Sequence, residues 1–297
     1  MGMERIGFVG VGLMGHGMAS NLLAKGYSVH VVAHRNRGPV EDLVARGAVE
    51  APDLAHIAQD CTIIHICAPG SPQVEAIVAG LLPHLAANSV IVDCSTSDPV
   101  STLGLARLLE DAGHALADAP LGGTPVQAEA GQLSTMVGAT EETFARIQPV
   151  LAAWAATIAH LGPPGTGHKM KLLNNFLSLG YAAIYAEALA LSNKVGITTA
   201  QFDKVIRGGR MDCGFYQTFM GYAVEGNRNA HRFTLTNALK DMRYLESMAD
   251  SVALSNPVGN AVKNSFALAH ANGGDGPENY VPHLVDFIAH LNGTKVV

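Results

Sequence analysis

Lys171 and Asn175 are the polar residues that stand out in an otherwise apolar stretch of the chain. Four residues apart on a helix, they share one face, about one turn above each other. Both fall near the start of a predicted helix beside a domain boundary, a preferred place for ligand sites. Burying a lysine is costly unless its charge is used. The residues alone leave open a surface lysine that snorkels at a frayed helix start, as Lys169 does in that reading. A second group is Gly10, Gly12 and Gly15, spaced G-x-G-x-x-G. The first glycine allows a tight turn and the second lets a pyrophosphate approach the backbone. The third packs a helix on a strand, and the helix N-terminus presents its unpaired N–H groups to the phosphates. The bland alternative is a glycine turn that only packs a helix on a strand. The third group is His34-Arg-Asn-Arg37. It stands about 20 residues past the glycine loop, where an Asp or Glu would hold the ribose diol of NAD. With no carboxylate there, Arg35 suits the 2′-phosphate of NADP with Arg37 as a second contact, the alternative being a solvated basic turn.

The surrounding elements fit these assignments. Ile6–Val9 is strand-like, and Met14, Met18, Leu22 and Leu23 recur at helical spacing up to a stop at Gly26. Val29–Ala33, Thr62–Ile66, Ser89–Cys94, Ala115–Pro120, Leu133–Val137 and Thr157–Leu161 read as further strands. Helices are expected from Pro39 to Gly47, after Pro72, over Pro99–Asp111 and over about Thr140–Trp154. This alternation predicts an α/β fold with a parallel, doubly wound Rossmann sheet. Its ligand crevice lies along the loops at the strands' C-terminal ends: Gly10 to Gly15, His34 to Arg37, Ala68 to Gly70, Ser95 to Ser97 and Leu121 to Thr124. The breaker cluster Gly162-Pro-Pro-Gly-Thr-Gly167 marks the domain boundary, giving a dinucleotide-binding domain over 1–163 and an all-helical domain over 164–297. His168 to about Val195 reads as one long helix, apolar nearly all round, which predicts deep burial. Further helices are expected over Thr199–Ile206, Leu235–Ala253, Pro257–Ala271 and Pro282–Leu291.

Composition narrows the class. With 297 residues, 48% hydrophobic and 15% charged, there is material for two buried cores. A net charge of −6 with no basic run argues against a nucleic-acid partner. No apolar run reaches the roughly 18 residues of a membrane span, and Met1-Gly-Met-Glu-Arg leads into a strand rather than a signal peptide. Cys61, Cys67, Cys94 and Cys213 lack disulfide or metal spacing, and no metal site is expected among them or the thirteen histidines. Together these features predict a cytoplasmic protein.

Five ordered segments carry a resemblance. Gly165-Thr-Gly-His-Lys-Met-Lys-Leu-Leu-Asn-Asn175 resembles the G-x-G-x-x-x-K-x-x-N-N segment of the β-hydroxyacid dehydrogenases. Gly10 to Asn21 resembles the family's G-x-G-x-M-G-x-x-M-A-x-N start, and Asp93-Cys-Ser-Thr96 with Pro99 its D-x-S-T-x-x-P loop. Asp118-Ala-Pro-Leu-Gly-Gly-Thr124 with Gly131 to Gly138 is similar to its substrate loop, and Lys240-Asp241 to its K-D pair. The resemblance covers nearly the whole chain. It implies that Lys171 protonates the carbonyl oxygen in reduction and takes the hydroxyl proton in oxidation. It implies that Asn175 orients the substrate, with Gly122, Gly123 and Thr124 beside it. It implies a cofactor held by Gly10, Val11, Gly12, Leu13 and Met14, by His34, Arg35 and Asn36, and by Ala68, Pro69, Gln73, Thr96 and Lys240. One departure matters: where the family has Ser-Gly-Gly, this chain has Gly122-Gly-Thr124, so the usual serine hydroxyl is missing and Thr124 is the nearby substitute. The expected activity is an NADP-preferring interconversion of a small β-hydroxyacid and its semialdehyde, with NAD the alternative cofactor. The expected partner is a small carboxylic acid, and the apolar long helix implies a homodimer or homotetramer. The alternatives are a reductase of another carbonyl or imine on the same fold, and a non-catalytic nucleotide-binding protein.

Overall fold

A computed structural model describes residues 4–297. The start of the chain read above as lacking a signal peptide includes Met1, Gly2 and Met3, which lie outside the described residues. The chain forms two compact units, the first ending at Lys171 and the second running Leu172–Val297.

In the first unit strands and helices alternate from the start: β1 (Arg5–Val9), α1 (Gly15–Ala24), β2 (Ser28–Val32), α2 (Gly38–Ala45), β3 (Val49–Ala51), α3 (Leu54–Asp60), β4 (Ile63–Ile66), α4 (Ser71–Leu81), β5 (Val90–Asp93), α5 (Pro99–Asp111) and β6 (Ala115–Asp118). The sheet runs β3-β2-β1-β4-β5-β6, all parallel, so the order reverses between β1 and β4. β4 and β5 are buried at every residue, as continuous apolar strands covered on both faces must be. Successive residues go to opposite cores. Phe8, Ile63 and Val92 pack with Met18 and Leu22 of α1, while Ile64, Ile66 and Ile91 pack with Val74 and Val78 of α4.

Beyond β6 the sheet is mixed rather than all parallel. There β7 (Leu121–Gly122), α6 (Pro125–Glu129), β8 (Leu133–Gly138), α7 (Glu141–Leu151) and β9 (Ala155–Gly162) follow, and β8 pairs antiparallel with both β6 and β7. The chain turns back on itself through β7 and α6, and β9 then runs parallel to β8. The sequence reading also passed over β3, α3 and α6, which are short and carry little periodic signal.

The second unit is helical: α8 (Thr166–Lys194, begun in the first unit), α9 (Thr199–Ile206), α10 (Gly214–Ala223), α11 (Leu235–Ser251), α12 (Pro257–Ala269) and α13 (Leu284–Leu291). Leu172, Leu179, Ala182, Ala186 and Leu189 of α8 pack in one core with Phe219, Leu239, Met242, Phe266 and Leu284. The deep burial expected for α8 holds for that face only. Leu173, Leu177, Tyr181, Ile184 and Leu191 are exposed in the single chain, because an all-apolar helix needs more cover than its neighbours supply. No helix among the described residues is long and apolar enough to cross a membrane.

Candidate active site

The glycine loop leaves β1 at Gly10, whose φ of +99° is a left-handed conformation that strongly favours glycine. A Cβ there would overlap the carbonyl oxygen of Cys67, and one on Gly15 would overlap the carbonyl oxygen of Gly10. A Cβ on Gly12 meets nothing within 4 Å, so the backbone there is approachable. α1 then begins without a side-chain cap at Met14, leaving its first N–H groups aimed at the loop. Val11 is buried and Leu13 exposed on either side of Gly12. This cradle fits a pyrophosphate by the same physics that makes any open helix N-terminus attract anions.

At the end of β2, His34, Arg35 and Asn36 are exposed. Asn36 accepts the Gly38 N–H at 3.2 Å and closes the turn into α2. Arg37 is engaged elsewhere: its guanidinium lies 2.9 Å from Glu50 and 3.4 Å from Glu41, and these carboxylates hold its pKa above the usual arginine value.

The loops after β4 and β5 are tied together. The Ala68 N–H donates to Ser95 Oγ at 2.9 Å, and Asp98 N–H to Ser71 Oγ at 2.7 Å. Buried Asp93 accepts the Ser95 N–H and the Ser97 hydroxyl, at 2.9 and 2.7 Å, so the segment carrying Thr96 is fixed on both sides. Thr96 is half-buried, Pro69 and Gln73 are exposed. Cys67 and Cys94, at the ends of the same strands, are protonated thiols. Burial pushes Cys67 up to about 12 and Cys94 well above the usual thiol range.

A second buried network seats the start of α8. Asp118, fully buried at the end of β6, accepts the N–H groups of Gly165 at 2.5 Å and His168 at 2.6 Å. It caps the helix that carries Lys171, and desolvation raises its pKa. Gly138 and Gly167 bring the backbones of β8 and α8 together. A Cβ on Gly138 would sit 2.9 Å from Gly167 N, and one on Gly167 would overlap the Met136 carbonyl. The His168 ring, also fully buried, bridges Thr102 Oγ1 at 2.8 Å and the Ser95 carbonyl at 3.1 Å. Since a carbonyl only accepts, Nε2 carries the proton toward Ser95. One imidazole thus joins the Ser95–Ser97 loop to the first turn of the helix that bears Lys171.

The Gly122–Thr124 loop is held from two sides. Thr124 and Gln127 form a capping box at the start of α6, and α6 is clamped to α1. Asn21 Nδ2 donates to the carbonyls of Ala128 and Glu129 at 3.0 and 3.1 Å. The His16 ring lies between Glu129 and Asp42 at 2.7 and 2.8 Å.

In the second unit Asn175 is buried and donates through Nδ2 to Asp241 Oδ2 at 2.7 Å. Asp241 is itself buried, and Lys240 Nζ is 3.1 Å from its other oxygen. The Asn175 amide therefore has a fixed orientation, with Oδ1 left to a weak 3.4 Å contact from Asn174. Lys171 and Lys240 are half-buried. Sequence reasoning passed over the orienting groups, Asp93, Ser95, Asp118, His168 and Asp241. Several lay inside quoted motifs, but only contact geometry distinguishes a residue that holds another from one that holds a ligand. Among the described residues, no group of three or more His, Cys, Asp or Glu is placed to hold a metal ion.

Comparison with known proteins agrees with this architecture. The family model for the NAD binding domain of 6-phosphogluconate dehydrogenase matches residues 5–162. The model described as NAD-binding of NADP-dependent 3-hydroxyisobutyrate dehydrogenase matches 165–281. The chain belongs to the β-hydroxyacid dehydrogenase family. As a member it is an enzyme of the NAD(P)-dependent hydroxyacid dehydrogenase kind. It is 34% identical to 3-hydroxyisobutyrate dehydrogenase of Pseudomonas aeruginosa over 90% of this chain and 92% of that one. It is 30% identical to 3-sulfolactaldehyde reductase of Escherichia coli (strain K12), over 91% and 92%. The fold is that of Mycobacterium tuberculosis 3-hydroxyisobutyrate dehydrogenase with L-serine, at TM-score 0.84 and 24% identity, covering 95% of this chain and 99% of that one.

Proposed function

We propose that the enzyme interconverts a small β-hydroxyacid and its semialdehyde with a preference for NADP(H), and that Lys171 is its general acid and base. The observation that carries this reading is the Asn175 amide. It is fixed by buried Asp241 one helical turn from Lys171, so a directed hydrogen-bonding group and a proton donor share one helix face. A bound nicotinamide supplies or accepts the hydride. In reduction the Lys171 ammonium gives a proton to the carbonyl oxygen, while Asn175 holds the substrate through a hydrogen bond. In oxidation the Lys171 amine takes the hydroxyl proton. Thr96, Ala68 and Pro69 contact the nicotinamide half, the Gly10–Met14 loop takes the pyrophosphate, and Gln73 and Lys240 complete the cofactor contacts. Gly122 to Thr124 face the substrate's acid group. NADP preference is supported by the absence of a carboxylate over His34–Arg37 and by Arg37's engagement with Glu50, which leaves Arg35 as the cation for a 2′-phosphate. The relatives named above act on 3-hydroxyisobutyrate and 3-sulfolactaldehyde, both small acids, in keeping with a carboxylate or similar anion on the substrate.

The test is Lys171→Ala, assayed with both cofactors against a panel of small β-hydroxyacids and semialdehydes. We expect kcat to fall by about 10² to 10⁴, with NADP(H) affinity nearly unchanged. A variant that keeps near wild-type kcat removes Lys171 from the chemistry.

A further inference from the structure

Gly122 and Ser134 stand directly opposite each other on the antiparallel pair β7–β8. A Cβ built on Gly122 overlaps the Ser134 hydroxyl, and its next neighbours, Ser134 Cβ and the Ser134 carbonyl oxygen, are 3.8 Å away. The hydroxyl of Ser134 therefore fills the volume that a side chain at position 122 would occupy, and it is the single atom that crowds one out. Position 122 is where the family pattern Ser-Gly-Gly carries its serine and this chain carries none.

Two hydroxyls lie close enough to replace it. That of Thr124 is committed to the capping box: Oγ1 donates to Gln127 Oε1 at 3.2 Å, and the Thr124 N–H donates to the same oxygen at 2.9 Å. Turning it away would uncap α6. The hydroxyl of Ser134 donates to the Gly122 carbonyl at 3.3 Å, beyond the usual range for such a bond, and Ser134 is half-buried rather than sealed. A χ1 rotation can exchange that long bond for a shorter, charge-assisted one to an anionic oxygen.

We propose that Ser134 is a specificity-determining residue that hydrogen-bonds the acid group of the substrate, reaching from β8 into the place left open at Gly122. The proposal rests on the hydroxyacid reading given above. It predicts a reciprocal relation between two positions. The Cβ of a serine at 122 and the hydroxyl of Ser134 compete for one volume, and either side chain alone brings a hydroxyl to this place.

The experiment compares wild type, Ser134→Ala, Gly122→Ser and the double variant in the oxidation of 3-hydroxypropionate, the simplest β-hydroxyacid, with thermal unfolding of each protein as a control. Ser134→Ala is expected to raise KM about tenfold or more while kcat changes little, as for loss of one hydrogen bond to a charged group. Gly122→Ser alone is expected to impair turnover, because its Cβ takes the volume of the Ser134 hydroxyl and forces that hydroxyl out of its present rotamer. The double variant has room for the new side chain and is expected to return KM to within about threefold of wild type. If Ser134 served only to anchor the loop through the Gly122 carbonyl, the double variant would stay as poor as Ser134→Ala, since that anchor is not restored; this result overturns the proposal. So does an unchanged KM in Ser134→Ala while wild type is active, and then the dehydrogenase reading survives. A wild type inactive on 3-hydroxypropionate and on the panel above overturns the reading and the proposal together.

Discussion

Replacing His65 by leucine should remove an acid sensitivity built into the first unit. His65 lies on β4 beside Phe8 of β1, fully buried, with the two rings stacked at 5.4 Å and 9°. Trp154 meets it edge-on at 6.1 Å. Neither ring nitrogen has a hydrogen-bond partner among the described residues, and burial pushes the imidazole pKa down to about 3. In the unfolded chain it returns to about 6.5. Between these values the unfolded state binds a proton that the folded state refuses. The folded state is thus unpenalised above about pH 6.5 and loses about 1.4 kcal/mol for each pH unit below it, down to about pH 3. From about pH 7 to about pH 5 the loss is about 2 kcal/mol. Leucine is of similar volume, carries no titratable group and leaves no buried nitrogen unpaired. The assay is denaturant unfolding followed by the fluorescence of Trp154, the sole tryptophan of the chain and a member of the first unit's core. Subtracting the His65→Leu pH profile from that of wild type cancels titrations shared by both. A difference that stays flat across this interval would refute the reasoning. It would mean that the buried ring takes up a proton, or finds a partner, without cost.

Arg35→Ala should erase most of the expected preference for NADP(H) over NAD(H), a ten- to hundredfold change in relative kcat/KM, as for one hydrogen bond to a charged group. Steady-state kinetics with both cofactors check it, and a wild type that prefers NAD(H) would falsify this reading of the loop. The exposed apolar residues of α8 should form a contact between copies of the chain. Light scattering is expected to give a homodimer or homotetramer, and Ile184→Glu with Leu191→Glu to shift it toward monomer; a monomeric wild type at micromolar concentration refutes it.

The chain's periodicities and punctuation already determine the unit with alternating strands and helices, the glycine turn at Gly10 and the long helix that carries Lys171 and Asn175. These are local features, since a buried parallel strand, a left-handed turn or a helix face each has a short-range signature. The order of Gly10, Asp93, Gly122, Lys171 and Lys240 along the chain was likewise enough to show the family resemblance. Tertiary structure alone decided the rest, because it concerns residues far apart in sequence. The antiparallel return of β8 depends on which strands it meets across the sheet and not on any strand's own pattern. His168 is an ordinary helical residue until Thr102 and Ser95 are placed on either side of its ring. Asp241 reads as half of a charged pair until it is found holding Asn175 from 66 residues away. The gap at Gly122 was visible as a missing serine, but the hydroxyl that fills its space comes from the facing strand, and strand register is set by pairing across the sheet.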